Sequence, residues 1–279
     1  MQDLRIRTKF LWGGKDMSAY LYLAKMKMIN SLTYRFEVIT VLGSNLIMMM
    51  ATVFLWKTAF NGIDSVSGVN ESQMVTYAIL SSILSSIFSF EVEATLNENI
   101  REGNIAIDLL KPINLIGKYF AQDIGGFITN LVNKLLPLTV IVLLFIKILP
   151  PVNFIYSVLF GFSLVLCYLL LWSMDAIFGI MTFWLMDIGN LVGIKNVFIK
   201  LLSGSVIPIW FFPNWLQNIL SFLPFQYTYQ TCLSIYIGKL SIIQAIEAIC
   251  IQGIWVFLLM MIVHLLWKKA RKSVQVQGG

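Results

Sequence analysis

The chain has 279 residues, of which 58 % are hydrophobic and only 12 % charged, and its mean hydropathy is +0.80. Ordinary soluble domains carry about 25 % charged residues, so a soluble enzyme, a disordered tail and a nucleic-acid-binding domain are excluded. A polytopic membrane protein remains. In that setting the excess of 20 Lys and Arg over 14 Asp and Glu reads as topology and lipid-headgroup contact.

Residues 1–16 are basic but lead into no short apolar run with a small-residue cleavage site, so no secretory signal is expected. Asp16–Tyr34 interleaves Met17, Tyr20, Leu21, Leu23, Met26, Met28 and Ile29 with Lys25, Lys27 and Asn30. That mixture predicts an amphipathic helix on the inner membrane surface, with a helix docked on a cytoplasmic partner as the alternative. Residues 1–35 then form a cytoplasmic segment.

A spanning helix needs roughly 20 predominantly apolar residues, and six stretches qualify: 36–56, 74–90, 127–149, 154–174, 188–207 and 242–267. Unbroken runs such as IVLLF and FLLMMIVHLL exclude the strict alternation of a membrane β-barrel. The expected fold class is therefore an all-α polytopic membrane protein with six transmembrane helices. Seven basic residues precede the first span, three lie between the second and third, and four follow the sixth, against Lys57, Lys147 and Lys239 on the other side. Positive-inside bias puts both termini in the cytoplasm, which requires an even number of spans. No internal repeat or linker divides the chain, so residues 36–267 read as one membrane domain and 268–279 as a basic cytoplasmic tail.

Two connections are unusual. Glu91–Gly126, expected on the cytoplasmic side, contains NIREGNIAIDLLKPIN: a helix, Gly103 as its stop, the apolar Ile105, Ile107, Leu109 and Leu110, then a break at Lys111-Pro112. An apolar cluster inside a polar loop docks either on the protein's own helix ends or on a soluble partner. Ser203–Ser241, expected outside, is rich in aromatic residues and broken by Pro208, Pro213 and Pro224. A re-entrant pair of short helices in the outer leaflet fits it, since non-helical backbone at membrane depth needs protein or a wet cavity around it. A plain aromatic belt is the alternative.

Charges within spans are candidates for function. Lys134 lies close enough to the inner end of its span to snorkel. Lys195 and Lys200 are on different faces of one helix, so at least one must face protein or water, yet no acidic partner at matching depth is evident. Glu247 and His264 sit near the outer and inner interfaces, where headgroup contact is the simpler role. Gly125, Gly126, Gly161 and Gly179 allow close helix approach. Cys167, Cys232 and Cys250 are too few and too apolar in setting for a disulfide framework or a zinc site. No phosphate-loop motif, HExxH or Ser/His/Asp set is present, so catalytic, metal and cofactor-binding residues are expected to be absent from this chain.

Four passages in order resemble the membrane-spanning permease subunits of bacterial ABC-2 type ATP-binding cassette exporters, six-span branch. They are SLTYRFEVIT (Ser31–Thr40), IREGNIAIDLLKP (Ile100–Pro112), LSGSVIPIWFFPNWL (Leu202–Leu216) and LPFQYTYQTCLSIYIGKLS (Leu223–Ser241). Thr231-Cys232 departs from the proline that relatives commonly carry there. The resemblance implies a non-enzymatic permease of the bacterial plasma membrane. It would be paired with an identical or sister permease and driven by separate cytoplasmic nucleotide-binding subunits that hold ATP and Mg. Its ATPase contacts would map to the surface helix and to Asn99, Arg101, Glu102, Gly103, Asp108, Lys111 and Pro112. An external gate hairpin would comprise Ser203, Gly204, Pro208, Trp210, Phe212, Pro213, Trp215, Pro224 and Phe225. The apolar, aromatic outer half favours an amphiphilic cargo such as a drug, peptide antibiotic, lipid or glycan. A stand-alone secondary transporter or channel and a non-transporting scaffold are the rival readings.

Overall fold

A computed structural model describes residues 19–29, 35–111, 113–145, 148–185 and 188–272. Pro112, Lys147, most of the basic N-terminal segment, Ser31–Tyr34 and the tail from Ser273 lie outside the described residues. In chain order the helices are α1 (residues 19–29), α2 (Arg35–Ala59), α3 (Glu71–Ile87), α4 (Val92–Arg101), α5 (Ile105–Leu110) and α6 (Leu115–Asn130). A π-turn at Leu131–Leu135 carries α6 into α7 (Leu136–Phe145), and α8 (Phe154–Leu185), α9 (Gly189–Leu202), α10 (Asn214–Ser221), α11 (Tyr229–Tyr236) and α12 (Ile242–Ala270) follow. The described residues form no strand.

Five helical segments are long and apolar enough to cross a bilayer: Val38–Ala59, Glu71–Arg101, Leu115–Leu144, Phe154–Leu185 and Ile242–Ala270. The fifth expected stretch behaves differently. Its helix, α9, has 14 residues, about 21 Å at 1.5 Å per residue, against a hydrocarbon core of about 30 Å. Glu91–Gly126 is also more helical than a loop. It holds α4, α5 and most of α6, which starts at Leu115 rather than Phe127 because Asn114 accepts the Gly117 N–H at 3.2 Å and caps it.

Local chemistry sets the ends. Asn70 with Gln73, and Ser241 with Gln244, form complete capping boxes that start α3 and α12. Gly103, at φ +75°, ends α4. Where the helix breaks between α3 and α4, the buried Asp123 carboxylate accepts the Glu91 N–H at 2.8 Å and the Trp172 indole N–H at 2.9 Å.

The long α8 is the hub, packed by α12 on one side, α4 on another and α11 near its start. Gln252 of α12 meets the Ser163 hydroxyl at 2.8 Å and donates to the Tyr227 carbonyl at 2.6 Å, the interhelical polar tie expected in lipid. Gly179 allows α8 to touch α4: a Cβ there would lie 3.0 Å from both the Glu93 Cα and the Leu96 Cδ1. Gly161 and Gly126, by contrast, face open space. Two cores result. One around Val92, Leu96, Trp172 and Trp267 lies toward α5; the other, around Met49, Tyr77, Ile79 and Leu233, lies toward the Ser203–Ser241 segment.

The α1 helix rests on α6. Tyr20 Oη accepts the Asn114 N–H at 3.1 Å, Lys27 pairs with Glu91, and the Ala24 backbone lies against Gly125. A Cβ on residue 125 would lie 2.9 Å from the Ala24 Cα, and overpacking of that kind costs about 1–3 kcal/mol. Gly125→Leu should release α1, raising tryptic cleavage at Lys25 and Lys27 in the solubilised protein about five- to thirtyfold while α6 and α8 stay intact.

Candidate functional site: two ends joined by a buried charge cluster

The α5 end presents a short docking surface on a stiff base. Within α5, Ile105 is buried and Leu109 half-buried against the core, whereas Ile107 and Leu110 are 62 % and 85 % exposed. The apolar cluster thus splits by helical phase: one face docks on the protein, the other points away from it. Asp108 fixes that phase. Its buried carboxylate takes Lys111 at 2.7 Å and Lys118 at 2.6 Å, tying α5 to α6. Burial alone would raise the Asp108 carboxyl, but the two ammonium groups hold it below its ordinary value. Asn99 also turns inward, donating to Tyr119 Oη at 3.0 Å. Arg101, Glu102, Gly103 and Lys111 remain on the surface.

The opposite end is built on Gln230 of α11. Its N–H donates to the Ser203 carbonyl at 2.9 Å, and its side-chain oxygen accepts the Ile209 N–H at 3.1 Å. Tyr77 Oη sits 2.7 Å from the Gly204 carbonyl oxygen and 2.8 Å from the same Gln230 oxygen. Gly204 has φ +77° and no room for a Cβ beside Gln230 and Tyr77. Pro208 and Ser203 are buried, and Ser81 donates to the Ser205 carbonyl at 2.5 Å. Trp210 meets the Tyr77 ring edge-on at 5.3 Å, and the Lys239 ammonium lies 4.7 Å above it while donating to the Ser67 carbonyl at 2.6 Å. Phe211 stacks on Trp56 at 5.1 Å. Phe212, Pro224 and Phe225 are half-buried, Pro213 is exposed, and Trp215 and Phe222 on α10 are 64 % and 80 % exposed.

Between the two ends lies a charge cluster with no counterpart in the sequence reading. Lys195, 5 % exposed in α9, pairs with Glu93 of α4 and, at 2.6 Å, with Asp175 of α8. The expectation that Lys195 lacks an acidic partner is therefore corrected. The partners lie 102 and 20 residues away in the chain, and only the packing of α4 on α8 brings them together. Glu93 Oε1 is buried with no hydrogen-bond partner among the described residues. Lys200 and Glu247 are exposed, as is His264, and Lys134 donates to the Ser86 carbonyl at 3.1 Å.

The family model described as ABC-2 family transporter protein matches residues 46–278. The chain belongs to this family. No curated relative matches it. For an ABC-2 transporter, a multi-pass membrane protein, the geometry adds three groups that the motifs did not single out: Gln230, the Asp123 clasp on the helix break, and Glu93 with Asp175. Among the described residues no cluster of His, Cys, Asp or Glu could hold a metal ion.

Two outcomes check this arrangement. Asp108→Asn should cost about 1.5–3 kcal/mol at neutral pH through loss of charged hydrogen bonds. Because the folded Asp108 value is depressed, its contribution exists above the unfolded carboxyl value of about 3.9 and is lost as pH falls through the folded value. Melting curves of the variant and the parent should therefore converge in acid. Gln230→Met should strand the Ile209 N–H and lower the melting midpoint, at about 1–3 kcal/mol per unsatisfied group; Gln230→Glu, which keeps the acceptor oxygen, should retain more stability.

Proposed function

We propose that this ABC-2 protein is the permease subunit of an ATP-driven exporter. The observation that carries this reading is the exposed Ile107–Leu110 pair on a helix whose other face is anchored by Ile105 and Asp108. An apolar surface that small, on a segment that also exposes Arg101, Glu102 and Lys111, suits a soluble partner that grips and pushes. The partner in this reading is a cytoplasmic nucleotide-binding ATPase, which brings ATP and Mg. The α5 end is then cytoplasmic, α1 lies along the inner surface, and both termini are inside a bacterial plasma membrane. The α9 helix supplies the sixth membrane-embedded segment, its short length made up by the folded external hairpin. A second permease, identical or sister, completes the path, with the exposed Trp215 and Phe222 at the outer face. The aromatic Trp210–Phe211 cluster suits an amphiphilic cargo.

One observation favours a second reading. A buried Lys with two carboxylates is also what an ion-coupled transporter working alone would carry. The two readings part on partner and energy source.

Ile107→Asp and Leu110→Asp change exposed side chains, so the protein should insert and melt as the parent does. Tagged parent protein isolated from its native membranes should bring down a subunit with a phosphate-loop motif. The double variant should retain at most about a tenth of it, a loss of 1.4 kcal/mol or more. Equal recovery by both proteins would reject α5 as the contact. Transport by the chain alone, driven by a proton gradient without ATP, would favour the second reading.

A further inference from the structure

The α9 helix is held unlike the other long helices. Of its own side chains only Lys195 is buried, while Leu191, Ile194, Val197, Phe198 and Leu201 are between 38 % and 56 % exposed. An apolar gap of about 610 Å³ separates it from α8 and α12. Its ends are pinned, by the buried Ile188 at the start and by the Ser203–Gln230 hydrogen bond beyond the last turn. Along its length, Lys195 ties it to the bundle, reaching Glu93 and Asp175. This tie joins two functional ends. The α4 helix that carries Glu93 leads through Gly103 into α5, and the α9 helix that carries Lys195 leads into Ser203 and Gly204, where φ is +77°.

We propose that Lys195 is a positioning residue. With Glu93 and Asp175 it forms a charged clasp that holds the middle of α9 to the α4–α8 pair. Release of this clasp lets α9 swing about its hairpin end, so a push on α5 reaches the external hairpin. The physical reason is bistability. Apolar faces slide by small degrees, but an ion pair in a low dielectric is either made or broken. The clasp geometry stands by itself; its service to export rests on the permease reading above.

The test separates holding from folding. Removing one partner of a buried ion pair is strongly destabilising, whereas replacing all partners together by apolar residues of similar volume is often neutral. Cysteines for spin labels are placed at the exposed Val197 of α9 and Val165 of α8, after replacement of Cys167, Cys232 and Cys250, and distances are measured on the full chain in phospholipid nanodiscs. The parent protein should give one narrow distance, and so should Lys195→Arg, whose guanidinium spans two carboxylates. The triple variant Lys195→Met, Glu93→Met, Asp175→Leu should melt near the parent midpoint yet show a second, displaced distance, its population raised about five- to thirtyfold. A parent-like distance in the folded triple variant would overturn the clasp, because apolar contacts and the end anchors would then suffice. The measurement needs neither ATPase nor cargo, so a failed permease reading leaves it untouched, and its own failure leaves that reading standing.

Discussion

Hydrocarbon offers no hydrogen bonds, so each polar group between these helices has to find its partner within the protein. At two departures from regular helix, a single side chain has taken on that duty. At the α3–α4 break, Asp123 receives the stranded Glu91 N–H and at the same time orients Trp172 of α8. At the proline-broken segment, Gln230 serves the Ser203 carbonyl with its backbone and the Ile209 N–H with its side chain. The same groups that satisfy the backbone also decide which helices touch.

The constraint acts on charge as well. Lys195 within an otherwise apolar helix would be costly facing lipid, and Glu93 and Asp175 supply the compensation. Two carboxylates for one ammonium, with Glu93 Oε1 unpaired among the described residues, is not a minimum-cost arrangement for holding helices together. Apolar replacement of such groups is often neutral or stabilising. An ionic tie between α9 and α4 therefore makes more sense as something to be undone than as ballast, which is how it serves the proposed exporter.

The two ends differ in stiffness in a way that suits their proposed roles. At the α5 end, Ile105 and the doubly paired Asp108 leave little freedom, so a partner's push would pass into α4. At the hairpin end, Trp210 and Phe211 are built into the subunit through Tyr77 and Trp56, while α10 keeps Trp215 and Phe222 outside. If this segment gates a path, α10 is its moving or mating part, and the Trp210 cluster is its frame.

The membrane class, the long apolar helices and the ABC-2 family were legible in the sequence, because composition, run length and ordered local motifs are properties of contiguous residues. So were Gly103 as a helix stop and the Pro208, Pro213 and Pro224 breaks, since backbone preference is local. The inward or outward role of Ile105 against Ile107, or of Asn99 and Asp108 against Arg101, was not, because the rotational phase of α4 and α5 against the bundle decides it. Gly125 and Gly179 read alike with Gly126 and Gly161, yet only the first two meet another backbone. Lys195 was legible as a charge within an apolar stretch, whereas nothing local marked Glu93 or Asp175. Only the tertiary structure made them one site, because side chains 102 residues apart become neighbours through helix packing that no local pattern encodes.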